Sequence, residues 1–430
     1  MTRIRSWLQQ RSDATITTYA IAAAFTAYFC MYAFRKPFAA AAFEGDLADT
    51  GIALKTSYVV AQLVGYTLSK FLGTKFNAEL ESTSRRGALL GLVGFSWLSL
   101  ALLAVLPTEA GMFALFLNGL PLGMVWGVVV SCLEGRRSSE LMLAGLSCSF
   151  ILASGVVKDV GRALLSMGVA EATMPAAVGA IFVLPYAASV LALTSLPPPT
   201  AQDVAMRSER TTMDGQARWS FVKDYIWVLL PLLFVYTALT AIRDFRDNYG
   251  AELFAEVGYG DTPGVFSASE VPVALSVILA LGLLAYIRDN GRALTVVYAL
   301  MIGGVLTCGA ATFALEQGWI GGLAWMIWVG IGSYVAYVPF GSMLFERLFA
   351  YTRATGTAVF AIYLADATGY SGSILLQFLR DLVGAESQLG FFSATLMTVS
   401  AFAPFLLVAS GFALKRAPRN RGEGTQEPTI

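Results

Sequence analysis

Apolar stretches separated by charged turns recur along the whole chain, and they constrain its fold more than any other feature. Their approximate ranges are 15–43, 51–73, 86–106, 110–133, 139–165, 175–196, 222–246, 268–288, 293–314, 319–345, 354–380 and 388–414. A helix of roughly 20 apolar residues crosses a bilayer, so each of the twelve stretches is long enough to do so. The sequence therefore predicts an all-α membrane protein with twelve transmembrane helices.

The composition agrees with this fold class and excludes several functions. Hydrophobic residues make up 56% of the chain and charged residues 13%, whereas soluble domains are about a quarter charged. The formal net charge is zero and there is no histidine, so nucleic-acid binding and histidine-based proton transfer are not indicated. The four cysteines lie in apolar stretches without metal-binding spacing. We expect no metal, no cofactor and a monomer in a lipid bilayer.

One long polar segment divides the chain in two. It contains three consecutive prolines, which a helix interior does not accommodate. The expected domains are an N-terminal six-helix bundle over residues 1–196, a cytoplasmic linker over 197–221, a C-terminal six-helix bundle over 222–414 and a cytoplasmic tail over 415–430.

The two halves repeat a short pattern at corresponding places. Tyr28 precedes Arg35 in the first stretch by the same spacing that separates Tyr236 from Arg243 in the seventh. Weak repeats between halves are typical of secondary transporters, which are often built from two related bundles. The pattern favours a six-plus-six arrangement.

Lysine and arginine follow the positive-inside rule. If the N-terminus is cytoplasmic, most of the 29 basic residues fall on the cytoplasmic side, and the outer turns are acidic. We therefore expect both termini in the cytoplasm. The first apolar run lacks a convincing cleavage site, which indicates a retained span rather than a signal peptide.

Two basic residues stand inside the first stretch, in the sequence YFCMYAFRKPF. A central Arg or Lys costs ~2.5–3.5 kcal/mol on insertion scales. Tyr28 and Tyr32 would share a helix face with Arg35, and this polar stripe is typical of a pore wall. Lys36 would point about 100° away, and Pro37 predicts a kink. Snorkelling of Arg35 to the headgroups is the alternative.

Arg243 lies at a similar predicted depth in the seventh stretch, close to Asp244 and Asp247. One interpretation is internal neutralisation by these carboxylates. The other is a second guanidinium that faces Arg35. Two such groups would bind a divalent anion such as phosphate, because guanidinium binds phosphate oxygens bidentately.

Four further charged residues fall within predicted helices. Lys70 is expected near the inner end of the second stretch, roughly 20 Å from Arg35, where it would snorkel or line the way into the cavity. Asp366 is expected near the midplane, as a structural ion pair, a proton carrier or the partner of an arginine. Lys158 and Asp159 are interpreted as a local charge pair near the outer surface.

The motif Tyr28-x3-Tyr32-x2-Arg35-Lys36-x-Phe38 resembles the first-helix motif of the organophosphate:phosphate antiporter family of the major facilitator superfamily. Other stretches that are similar to this family lie at 66–71, 118–126, 234–236, 355–358 and 369–373. The sequence YAFRKPF also resembles that of an uncharacterised bacterial family of multi-pass membrane proteins.

The resemblance implies a major facilitator fold and a non-enzymatic function in the bacterial inner (cytoplasmic) membrane. It implies secondary active transport of a small anionic, phosphate-bearing solute by alternating access, in exchange with phosphate. Arg35 would bind the substrate phosphate and Lys70 would line the pore. The chain departs from the antiporters in lacking their substrate-site histidine and in adding Asp366. A membrane sensor of a phosphorylated ligand and a proton-coupled transporter of another solute are the alternatives.

Overall fold

The computed structural model describes residues 2–47, 50–81, 83–134, 136, 138–199, 203, 215–353, 358–385 and 387–417. Within them, twelve long helices lie at the predicted positions. They are α1 Asp13–Tyr32, α2 Leu54–Glu79, α3 Arg85–Leu103, α4 Gly111–Leu133, α5 Ser139–Ser166, α6 Met174–Leu193, α7 Ile226–Asn248, α8 Val265–Ala285, α9 Asn290–Glu316, α10 Gly322–Pro339, α11 Ala358–Leu382 and α12 Gln388–Arg416.

Short helices precede or join the long ones. They are Thr2–Gln9, Pro37–Ala40, Thr108–Ala110, Gly215–Asp224, Gly250–Glu256, Phe340–Leu344 and Phe345–Thr352. Most of the predicted linker 197–221 and of the tail 415–430 lies outside the described residues. The resemblance at 355–358 falls largely there too.

The first helix is shorter than predicted. We expected it to run to residue 43, but α1 ends at Tyr32 and a turn leads to the 3₁₀ helix Pro37–Ala40. Proline has no N–H to donate, and its ring clashes with the carbonyl group of residue i−4 in a continuous α-helix. The kink expected at Pro37 is therefore a full break, and Arg35 and Lys36 lie in a turn.

Ten of the twelve long helices are long and apolar enough to cross a membrane, when the described residues are searched. The other two, α2 and α11, carry Lys70 and Asp366 on opposing faces of the interface between the bundles. The prediction of an all-α multi-pass membrane protein is confirmed.

The helices pack as two bundles. Helices α1 to α6 contact one another around one apolar core, and α7 to α12 pack around two others. The bundles meet mainly where α5 packs on α8 and where α2 packs on α11. A fourth apolar cluster joins Ile151 of α5 to α8 and α10.

Glycines allow α2 and α4 to approach closely inside the first bundle. A Cβ atom on Gly119 would lie 2.2 Å from the carbonyl oxygen of Gln62, and one on Gly65 would lie 2.3 Å from that of Phe116. Such distances are too short for any side chain. The close contact brings Gln62 and Asn118 next to the turn that follows α1.

Candidate functional site

A cavity lies between the two bundles, and each bundle supplies half of its lining. The lining residues are Tyr32, Arg35, Lys36, Phe150, Arg243, Asp244, Asp247 and Tyr334. Both arginines singled out in the sequence are among them, together with Tyr32. The cavity is therefore lined mainly by aromatic and charged side chains.

A buried hydrogen-bond network holds the turn that carries Arg35. Gln62 Nε2 donates to the Arg35 carbonyl oxygen at 2.9 Å and to Asn118 Oδ1 at 2.7 Å. Asn118 Nδ2 in turn donates to the Phe34 carbonyl oxygen at 2.8 Å. These amides satisfy carbonyl groups that the broken helix leaves free, and they fix the direction of the arginine side chain.

The Arg35 guanidinium is buried, and no described residue supplies a counter-ion to it. Arg35 is 5% exposed, and its Cζ lies 3.8 Å from the centroid of the Tyr66 ring and 5.8 Å from that of Tyr32. Among the described residues, no carboxylate forms an ion pair with it, and its Nε has no hydrogen-bond partner. Burying a charge without a partner is unfavourable, so this guanidinium places an uncompensated charge at the cavity.

Asp247, on α7 of the second bundle, lies between two lysines of the first bundle. Lys36 Nζ lies 2.5 Å from Asp247 Oδ2, and Lys158 Nζ lies 2.8 Å from Asp247 Oδ1. Ser154 also donates to this carboxylate, and Lys36 donates to Asn248 Oδ1 at 2.9 Å. One carboxylate on α7 thus connects two elements of the first bundle.

Arg243 is paired within its own helix. Its Nη2 lies 2.8 Å from Asp244 Oδ1, and its Cζ lies 4.2 Å from the centroid of the Tyr337 ring. Ser373 Oγ donates to the other Asp244 oxygen at 2.8 Å. Internal neutralisation, one of the two interpretations of the sequence, therefore describes the Asp244 contact, while Arg243 still lines the cavity.

Lys70 and Asp366 connect the bundles beside Tyr66. Lys70 Nζ lies 3.8 Å from Asp366 Oδ2 and 5.4 Å from the centroid of the Tyr66 ring. Tyr236 donates its hydroxyl to Asp366 Oδ1 at 2.5 Å. Tyr28 is buried and packs on Tyr32 and Trp126, at ring-centroid distances of 5.7 and 4.9 Å, and it does not line the cavity.

Two details of the sequence interpretation, the position of Lys36 and the distance between Lys70 and Arg35, differ from the structure. Lys36 lines the cavity beside Arg35, because the pair stands in a turn and not on a helix. The expected separation of roughly 20 Å between Lys70 and Arg35 is wrong, since both cations lie against the Tyr66 ring. The expected distance was based on a first helix that continues straight through Arg35.

The prediction that Lys158 and Asp159 form a local charge pair is also wrong. Successive residues on a helix point about 100° apart, so the two side chains diverge. Lys158 reaches Asp247, whereas Asp159 accepts hydrogen bonds from the backbone N–H groups of Phe266 and Ser267 at 3.3 and 2.7 Å. Asp159 thereby caps the N-terminus of α8 in the other bundle.

The sequence interpretation missed several buried charges. Arg246 is 3% exposed and its Nη1 lies 2.6 Å from Glu270 Oε1. Lys55 is also buried, and it pairs with Glu252 of the other bundle. The signal was available for Glu270, which is an acid within an otherwise apolar helix.

The bundles are joined at the end opposite the chain termini. The Lys55–Glu252 pair lies there, together with a 2.7 Å hydrogen bond between the hydroxyls of Thr56 and Tyr249. The Ala53 N–H donates to Asp381 Oδ2 at 3.0 Å. These contacts close that end of the interface above the cavity.

The fold is similar to that of solved transporters. The D-xylose-proton symporter has a TM-score of 0.63 at 13% identity, with 96% of this chain and 100% of that chain covered. Nucleoside transporter NupG gives 0.59 at 13%, covering 93% and 99%. A mutant of peptide transporter POT in complex with alafosfalin gives 0.57 at 15%, covering 96% and 99%.

These similarities and the two bundles around a central cavity define a multi-pass membrane protein with the major facilitator fold. The solved neighbours are themselves transporters. A sequence profile of a family of unknown function, DUF5690, matches residues 37–417. The protein belongs to this family. Sequence comparison with curated proteins finds no match.

Proposed function

We propose that the protein is a secondary transporter that moves a small anionic, phosphate-bearing solute across the bacterial inner membrane by alternating access, in exchange with phosphate. One observation carries the proposal. Arg35 presents a buried guanidinium to a cavity between two bundles, and the part of the chain that the structure describes places no counter-ion on it.

The chemistry of this guanidinium favours an oxyanion. A guanidinium offers parallel N–H donors that match two oxygens of a phosphate group, and Arg35 has an unsatisfied Nε. A bound oxyanion would supply both the missing charge and the missing acceptor. Stacking on Tyr66 and Tyr32 holds the guanidinium plane in place.

The surrounding charges add to this preference. Four cations lie in or next to the cavity, Arg35, Lys36, Lys158 and Arg243, against the two carboxylates of Asp244 and Asp247. The excess positive charge in a low-dielectric site attracts a multivalent anion. Arg243 would bind the anion from the second bundle, while Asp244 keeps its side chain in place.

The two-bundle architecture supports alternating access as the mechanism. The bundle of residues 1–196 and the bundle of 222–414 would rock around the cavity, as in transporters built from two repeats. With both termini cytoplasmic, the end closed by the Lys55–Glu252 and Thr56–Tyr249 contacts is the outer end. The cavity would then be closed on the outer side in this conformation. An anion that bridges Arg35 and Arg243 would contact both moving parts.

Phosphate binding by the purified protein tests the proposal. Isothermal titration in detergent should show phosphate binding to the unmodified protein, and Arg35→Met should abolish it. Arg292→Met is the matched control, because Arg292 is exposed and its side chain lies outside the cavity. Equal phosphate affinity in Arg35→Met and the unmodified protein would overturn the proposal.

A further inference from the structure

We propose that Asp366 is a protonation site that takes up one proton when an anion binds between Arg35 and Lys70. The inference rests on the proposed function. It adds a co-substrate, the proton, and assigns it to a named carboxylate.

Asp366 has the most distant cation of four acids that lie at or beside the cavity in the described residues, and its short hydrogen bond comes from the neutral Tyr236 hydroxyl. Asp244, Asp247 and Glu270 each have a cation within 2.8 Å. Lys70, the cation nearest to Asp366, lies 3.8 Å away, which is too long for a hydrogen bond. Protonating Asp366 therefore breaks no direct ionic hydrogen bond.

Asp366 and Lys70 are also less buried than the lysines that pair with Asp247. Their side chains are 17% and 16% exposed, whereas those of Lys36 and Lys158 are 4% and 2% exposed. In this proposal the proton reaches Asp366 without passing the more deeply buried pairs at Asp247. The two residues stand on α11 and α2, one in each bundle, so their charge state acts on the interface that moves.

The groups that face Asp366 are few and can be named by helix. Lys70 and Tyr66 face it from α2, Tyr236 from α7 and Tyr337 from α10, and Tyr370 lies one turn further along α11. Arg243, the nearest arginine on α7, is paired with Asp244. Lys70 is thus the cation whose pairing depends on the charge of Asp366.

An anion at Arg35 would change that charge. Arg35 and Lys70 lie against the same Tyr66 ring, at 3.8 and 5.4 Å from its centroid, so an anion that contacts both lies beside the Asp366 carboxylate. Repulsion between like charges favours the neutral acid. One proton from the water forms an O–H bond on Asp366, and Lys70 is released to bind the anion. The proton leaves to the water when the anion leaves.

The test compares phosphate affinities of the unmodified protein and Asp366→Asn over a range of about two pH units around neutrality. The ratio of the two affinities cancels the ionisation of phosphate itself. If the unmodified protein takes up one proton that the variant does not, its phosphate affinity divided by that of Asp366→Asn falls about tenfold per pH unit as pH rises. Asp366→Glu should keep this slope, and exposed Asp261→Asn should behave as the unmodified protein.

The outcomes separate this inference from the proposed function. A ratio that is independent of pH, with phosphate binding in both proteins, would overturn the protonation of Asp366 and leave the anion site intact. Loss of phosphate binding in Asp366→Asn at every pH would also overturn it, since a neutral side chain should release Lys70. Absence of phosphate binding in the unmodified protein would overturn the proposed function and this inference with it.

Discussion

The guanidinium of Arg35 stacks on the ring of Tyr66, with 3.8 Å between the Arg35 Cζ and the ring centroid. The ring belongs to α2. The Nζ atom of Lys70, on the same helix, lies 5.4 Å from the ring centroid and 3.8 Å from Asp366 Oδ2. Through this one ring, the unpaired arginine is connected to an ion pair that bridges the two bundles. The proposals on anion binding and on the coupling proton both depend on this arrangement.

Arg35→Lys should lower phosphate affinity by at least about tenfold. An ammonium cannot bind two oxygens in parallel or stack on Tyr66 as a guanidinium does. Thermal unfolding should change little, because Arg35 has no carboxylate partner in the described residues. Titration calorimetry and a melting curve on the same preparation check both points. Full affinity in Arg35→Lys would show that only charge matters at this position.

Arg243→Met should also abolish phosphate binding, and the double variant Arg243→Met/Asp244→Asn should not restore it. The single variant leaves the Asp244 carboxylate without its cation, which would repel an anion. The double variant removes that repulsion and leaves only the missing guanidinium. Recovery of phosphate affinity in the double variant would mean that Arg243 acts only by neutralising Asp244.

Asp247→Asn should destabilise the folded protein. Removing one partner of a buried ion pair costs about 3–5 kcal/mol, and this change leaves both Lys36 and Lys158 without a carboxylate. Asp247→Asn combined with Lys158→Met should recover part of the loss, because one unpaired charge is then removed. Unfolding in detergent at increasing denaturant measures both variants. Identical stability of the unmodified protein, the single variant and the double variant would contradict the ion pairs of Asp247 with Lys36 and Lys158.

Gly119→Ala should destabilise the first bundle. Its Cβ would lie 2.2 Å from the carbonyl oxygen of Gln62, so α2 and α4 would have to separate. Overpacking of this kind costs about 1–3 kcal/mol. Gly91→Ala is the control, since a Cβ there meets no atom within 4 Å. A lower melting temperature for Gly91→Ala than for Gly119→Ala would refute the close contact.

The helices were predictable because each is specified locally. A run of about 20 apolar residues bounded by charges becomes a spanning helix whatever its neighbours are. The predicted range 139–165 and the observed Ser139–Ser166 illustrate this. The break after Tyr32 was less predictable, since Pro37 marks a kink but not how many residues before it leave the helix.

The partners of the buried charges could not be predicted in the same way. Lys158 and Asp247 are 89 residues apart in sequence, and they meet only because the two bundles pack against each other. Asp159 follows Lys158 directly, yet its bonds go to a helix N-terminus in the other bundle. The sequence indicated which residues are costly to bury, and the packing of the bundles decided their partners.

Counterflow in proteoliposomes tests the central claim most directly. Vesicles loaded with unlabelled phosphate are diluted into radiolabelled phosphate, and uptake is compared with that of vesicles without internal phosphate. We predict uptake that internal phosphate accelerates and that Arg35→Met abolishes. Phosphate binding by the purified protein without any counterflow would contradict transport and identify a sensor with the same site.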